Sequence, residues 1–175
     1  MDSEFTKIYY LKEYEKLKDE QHKRIEFRDQ MIYLTLAAVG AVFSFSLEKP
    51  TLNIALLVLP FVCVIMGWTY LTNDEKISDI GNYIRRIWVP CLNEMHETAI
   101  NMHWEEHVRK DNTRKFRKRI QLMVDLSIFA IPGLVAIGCF FILHQMILWY
   151  HIATATVEVL AIIVLVIMFI RNSGK

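Results

Sequence analysis

The chain has 175 residues, of which 54% are hydrophobic, and its 20 Lys and Arg against 19 Asp and Glu leave a formal net charge of +1. That apolar share lies above the roughly 45–50% of ordinary soluble domains, the mean hydropathy is +0.26, and so slight a net charge names no partner. Cys63, Cys91 and Cys139 fall in two apolar segments and one polar segment, a distribution that suggests no disulfide framework and fits a reduced, cytoplasm-facing protein.

The charges are confined to blocks. Seven of the 20 basic residues lie in 1–30, ten in 73–120 and two after 170, with Lys49 alone between. The start, MDSEFTKIYYLKEYEK, lacks the basic opening and apolar core of a secretory signal, so the expectation is that nothing is cleaved. Across residues 1–30, Phe5, Ile8, Leu11, Tyr14, Leu17, Gln21 and Ile25 recur at three- and four-residue spacing. Glu13/Lys16, Lys16/Glu20, Asp19/Lys23 and Glu20/Arg24 can pair on the other side. This predicts an amphipathic helix, packed either on the chain's own loop or on another copy.

A hydrocarbon core of about 30 Å takes about 20 apolar helical residues. Residues 31–47 and 51–72 carry no charge, and only Glu48, Lys49 and Pro50 separate them, which predicts a helical hairpin. From Arg119 to Ile170 the only charges are Asp125 and Glu158, enough chain for two more spans. Trp149, Tyr150 and His151 mark the expected break, since Trp and Tyr favour the membrane interface; the third span is then 122–148 and the fourth 152–170. The expected fold is an all-α membrane protein: a helical N-terminus (1–30), a transmembrane hairpin (31–72), a helical loop (73–121), a second hairpin (122–171) and a tail (172–175).

Nineteen of the 20 basic residues flank one side of these spans, so both termini and the loop are expected in the cytoplasm. The second span continues inward as NDEKISDIGNYIRRIWVP, where Ile77, Ile80, Ile84, Ile87 and Trp88 line a face before Pro90 interrupts it. A helix leaving the membrane unbroken could transmit movement. Pro60, Gly67 and Pro132–Gly133 are possible bends. Ala37/Ala41 and Gly40/Ser44, small residues four apart, permit close contacts between membrane helices, and a conducting function would need several copies around an axis.

His103-Trp104-Glu105-Glu106-His107 matches the H-x-x-E-H pattern of inverted zinc peptidases. Catalytic zinc needs a third protein ligand, and downstream only Asp111, Asp125 and Glu158 offer a carboxylate. His96 and Cys91 could instead complete a structural site, but exposed helical histidines account for the pattern. No nucleophile triad, phosphate loop or Cys-x-x-Cys is present, so no enzyme, cofactor or metal is expected. The run Arg109-Lys110-Asp111-Asn112-Thr113-Arg114-Lys115-Phe116-Arg117-Lys118-Arg119 sets topology and attracts anionic lipid. Alternatively, Arg114, Lys115, Arg117, Lys118 and Arg119 join Arg85 and Arg86 around an anionic ligand such as a nucleotide.

Glu158 lies about 9 Å into the fourth span, where exposure to lipid would cost about 2.5 kcal/mol or more. On a helical wheel it shares a side with His151, Thr154 and Ala161, a stripe that could line a pore; alternatively its carboxyl bonds to His144 or Gln145. Asp125, within about a turn of the cytoplasmic edge, reaches Arg119 or water.

The short amphipathic N-terminus, the span RIEFRDQMIYLTLAAVGAVFSFSL and the segment GWTYLTNDEKISDIGNYIRR resemble, in plan, the small multi-span membrane effectors of bacterial anti-phage defence systems. These include SLATT-type and four-span proteins that accompany nucleotide-signalling or CRISPR components. The resemblance implies an oligomeric pore in the bacterial inner membrane that disturbs membrane potential during infection, and it carries over no catalytic residue. Two further readings stay open from the residues: a scaffold or sensor that recruits a cytoplasmic protein, and a small exporter coupling protons through Glu158.

Overall fold

The computed structural model describes residues 3–48, 53–95, 114–144 and 146–173. Among them every regular element is helical: α1 (Ser3–Glu48), α2 (Ala55–Tyr83), a π-helical turn (Ile84–Trp88), α3 (Val89–Met95), α4 (Arg114–Phe129), α5 (Ile131–Leu143) and α6 (Trp149–Ser173). Four helical stretches are long and apolar enough to cross a membrane: Ile8–Ser46, Ala55–Asn93, Phe116–Leu143 and Trp149–Ser173. The chain divides into two compact units, one of residues 1–28 and 72–114, the other of 29–71 and 115–175.

In the first unit, α1 and the continuation of α2 run antiparallel. Tyr10 meets Cys91, Tyr14 meets Trp88, Gln21 reaches the Ile77 carbonyl and Arg28 pairs with Asp74. The packed residues of α1 are therefore Tyr10, Tyr14, Leu17, Gln21, Arg24 and Arg28, stepping by four and three as in a coiled coil. Tyr14, Leu17 and Gln21 belong to the expected face, but its N-terminal part differs. Ile8 and Leu11 are exposed, because the bulky partner is Trp88 and two tyrosine rings cover it better than the aliphatic residues one step round the helix. On the opposing helix Ile84 and Trp88 are buried and Ile77 half-buried, while Ile87 turns outward. Of the anticipated ion pairs, Glu20–Arg24 forms at 2.7 Å.

Pro90 explains the π turn. It offers no N–H to the Arg86 carbonyl and its ring crowds that turn; the helix widens instead, Val89 N–H bonds the Ile84 carbonyl, and α3 continues beyond. The sequence pattern breaks at this proline, but the helix does not.

The second unit packs α2 alongside α6 in the same direction, with α4 and α5 antiparallel to both. Tyr70 lies against Phe129 and Phe169, and Phe140 against His151. Its centre is Leu56, Leu59, Cys63, Ala136, Phe140 and Ile162. Two glycines set the spacing. A Cβ on Gly67 would stand 2.8 Å from Leu165 Cδ2 and 3.0 Å from Phe129 Cβ; one on Gly133 would stand 3.1 Å from Ile162 Cδ1 and 3.4 Å from Pro60 Cα. Gly40, by contrast, has nothing within 4 Å. Ala37, Gly40, Ala41 and Ser44 are all exposed, so the small-residue face of α1 makes no close contact within its own unit.

The turn between the last two helices falls earlier than expected. α5 ends at Leu143, His144 takes an extended conformation, and Trp149 and Tyr150 already belong to α6. The reason is a cap: Leu148 N–H donates to His151 Nδ1 at 3.3 Å while His151 N–H donates back to the Leu148 carbonyl at 3.0 Å. This reciprocal pair satisfies donors that would otherwise be orphaned at the helix start. At Pro132 the helix breaks at Ala130 and restarts with proline in its first turn, where no donor is needed.

The glycine contacts make a stability prediction. Gly67→Ala should lower resistance to unfolding by about 1–3 kcal/mol through overpacking against Phe129, whereas Gly40→Ala, with open space for its Cβ, should raise it by about 0.5–1 kcal/mol through helix propensity. Denaturant titration of the purified protein in detergent micelles, followed by helical circular dichroism, measures both.

Candidate functional site

Five hydroxyl groups on the apolar helices satisfy themselves locally. Thr35, Thr69, Ser127, Thr154 and Thr156 each donate to the carbonyl four residues back, at 2.7–2.8 Å. A carboxylate, acceptor only when ionised, has no such recourse against its own helix.

Glu158 is the case in point. Its side chain is 1% exposed and neither oxygen has a hydrogen-bond partner among the described residues. It shares the buried face of α6 with His151, Ala155, Ile162, Leu165 and Phe169. The anticipated bond to His144 is not made, and Gln145 lies outside the described residues. His144 instead stacks on Phe140 at 4.8 Å between ring centroids and meets His151 edge-on at 5.0 Å. His151 is buried and its Nδ1 is occupied by the cap. The register carries the face by steps of four and three from His151 through Ala155 and Glu158 to Ile162, which leaves Thr154 and Ala161 half-buried at its flank, with the Thr154 hydroxyl spent on the Tyr150 carbonyl. Of the four stripe residues, then, His151 and Glu158 share the interior of a single chain. Asn53 Oδ1 and Ser46 Oγ are also buried without partners in this unit.

Asp125 is a residue whose weight the sequence pattern understated. It is buried, and its Oδ1 accepts from Gln121 Nε2 at 2.8 Å, while the same amide reaches the Tyr70 hydroxyl at 2.9 Å. Tyr70, Phe129 and Phe169, all nearly inaccessible, form a three-ring cluster with centroids 5.1–6.0 Å apart. Nearness to the basic run suggested a solvated acid; the four-residue step from Gln121 and the approach of Tyr70, which no local spacing reveals, put it inside.

The basic candidates divide between the units. Arg85 donates to Asn82 Oδ1 and Arg86 is exposed, both in the π turn of the first unit. Arg117 and Arg119 are exposed and Lys118 half-buried on α4 of the second. The side chains of Phe5, Arg114 and Lys115 are not described, and His96 and the H-x-x-E-H segment lie outside the described residues. Cys91 shares a hydrogen bond of 3.5 Å with the Tyr10 hydroxyl. Among the described residues no group of three or more potential ligands is placed to hold a metal.

In the first unit the Tyr83 hydroxyl donates to Glu13 Oε1 at 3.0 Å, and that bond, with burial and the neighbouring carboxylate charge, raises its pKa above the ordinary value. A folded-state pKa above the unfolded one adds stability that is fully present below about pH 10 and lost as pH climbs through the raised value. Absorbance titration of the phenolates should show Tyr83 ionising late and Glu13→Gln returning it towards the ordinary range.

Comparison with protein-family models, with curated proteins and with solved structures finds no match for this chain.

Proposed function

We propose that the chain is a multi-pass protein of the bacterial inner membrane that assembles as a homo-oligomer and lets ions cross the bilayer, under control of its cytoplasmic helical unit, as an effector of anti-phage defence. The observation that carries the conducting part is Glu158. An unpaired charge buried in a protein costs several kcal/mol, intramembrane acids as a class mark ion and proton pathways, and this carboxyl is fully enclosed with both oxygens unpartnered. His151, two turns away on the same face, extends the polar lining, with Thr154 and Ala161 beside it.

Further support comes from the outer surfaces. Val58, Ile65, Leu134, Ile142, Val157, Leu160, Val164 and Ile167 point away from the core, a surface suited to lipid. The distribution of basic residues favours both termini and the 73–120 loop in the cytoplasm, with Arg117, Lys118 and Arg119 beside anionic headgroups. The exposed Ala37, Gly40, Ala41 and Ser44 suit close contact between copies. A cytoplasmic protein or an anionic nucleotide near Arg85 and Arg86 is the proposed input. The buried Asp125 favours a second reading, a proton-coupled exporter, because such a carrier calls for more than one intramembrane acid.

Purified protein in liposomes tests both. Cation flux that is present in the wild type and reduced about tenfold or more by Glu158→Gln supports a pathway through this carboxyl. Flux that requires an opposing proton gradient supports the exporter. Equal flux in wild type and variant removes Glu158 from the pathway.

A further inference from the structure

Asp125 and Glu158 lie in the same unit on opposite sides of an apolar layer. Along α6, Glu158 is followed by Ile162, Leu165 and Phe169, each 1–3% exposed, so about 16 Å of helix separates the carboxyl from the Phe169 position. Phe169 stacks on Phe129 at 6.0 Å and 13°, and Tyr70 closes the third side. Asp125 is one turn before Phe129 on α4, on the side away from Glu158, because α4 and α6 are antiparallel. The layer is tight: the missing Cβ of Gly67 is what admits Leu165 and Phe129 together.

The Tyr70 hydroxyl ties the two sides. Its ring belongs to the apolar layer, yet its oxygen accepts from Gln121, which also bonds Asp125. Movement of the ring would therefore disturb the acid's hydrogen bonding, and a change at the acid would tug the ring. Cys63, fully buried, lies on α2 between Pro60 and Gly67, at the level between Glu158 and the rings.

On this basis, and resting on the conducting role argued above, we propose that Asp125, with Gln121 and Tyr70, is a second station for the cation that visits Glu158, and that the Tyr70–Phe129–Phe169–Leu165 layer between them is the closed gate of the pathway. The ligand class is a proton or a small monovalent cation, either of which neutralises a carboxylate. Hydrophobic constrictions gate by excluding water, and three rings with a leucine leave the Tyr70 oxygen as the one polar side-chain atom among these four residues.

The test uses the full chain with Cys91→Ser and Cys139→Ser, so that Cys63 is the remaining thiol, reconstituted in liposomes. Two readouts run in parallel: modification of Cys63 by a membrane-impermeant cationic methanethiosulfonate added from the Asp125 side, and flux of protons (an entrapped pH dye) or potassium (a potassium-sensitive dye). In this background Cys63 should be protected, whereas Phe169→Ala and, separately, Leu165→Ala should expose it and raise flux about tenfold or more. Phe169→Leu, which keeps the layer filled, should stay closed. Adding Asp125→Asn to Phe169→Ala should remove most of the gain. The dye that responds identifies the ion.

Protection of Cys63 in both alanine variants, each eluting as a single folded species, overturns the gate whether or not the wild type conducts. Exposure of Cys63 without flux upholds the gate and sinks the conducting role on which the second station depends. Flux that rises in Phe169→Ala and is indifferent to Asp125→Asn overturns the second station.

Discussion

The interior of the second unit depends on how closely four helices approach at two glycines. Gly67 brings α2 against Leu165 and Phe129, and Gly133 brings α5 against Ile162 and the backbone of Pro60. Close approach of this kind is how apolar helices gain packing energy where the surroundings are as apolar as their own side chains. It also decides where everything else goes. With the helices this near, the α6 face is committed inward, and Glu158 and His151 are carried into the core with Ile162 and Leu165. A side chain at position 67 would part the aromatic layer and give the carboxyl another environment.

The two prolines work with the glycines. Pro60 sits against Gly133, so a residue that removes a backbone donor in one helix meets a residue without a side chain in another. Pro132 sits beside the break at Ala130, in the first turn of the helix that begins there. Pro90 produces the third irregularity, a wide turn that rotates the residues after it. Each is a local departure with a local cause: helix continues through Pro60 and past Pro90, while at Ala130 it breaks and restarts.

Much of this plan could be read from periodicity and length. The four long apolar helices, the continuation of the second span as helix and the inward demand of Glu158 all follow from uncharged stretches and a wheel. What escaped was pairing. Tyr10 rather than Leu11 faces the partner because Trp88 is opposite, and only the register of two segments more than 70 residues apart decides that. The turn after α5 was displaced because His151 caps its own helix, while the aromatic residues expected to mark the break are helical. Asp125 was expected to reach Arg119 or water from its place near the cytoplasmic edge, yet it is buried, and its partner Gln121 also bonds Tyr70, 55 residues earlier.

The polar groups of the apolar helices also sort themselves by what they can donate. A threonine or serine carries its own proton and bonds the preceding turn, so its burial says little about function. An aspartate flanked by a glutamine one turn away borrows a donor, as Asp125 does from Gln121. Glu158 has neither device: the residues four before and four after it are Thr154, whose proton goes to the Tyr150 carbonyl, and Ile162. Simple stability would be served as well by leucine or glutamine at this position. On the proposed conducting role, a carboxyl in this enclosed, donor-poor setting is kept for what arrives there, and the charge that a carboxylate can accept is positive.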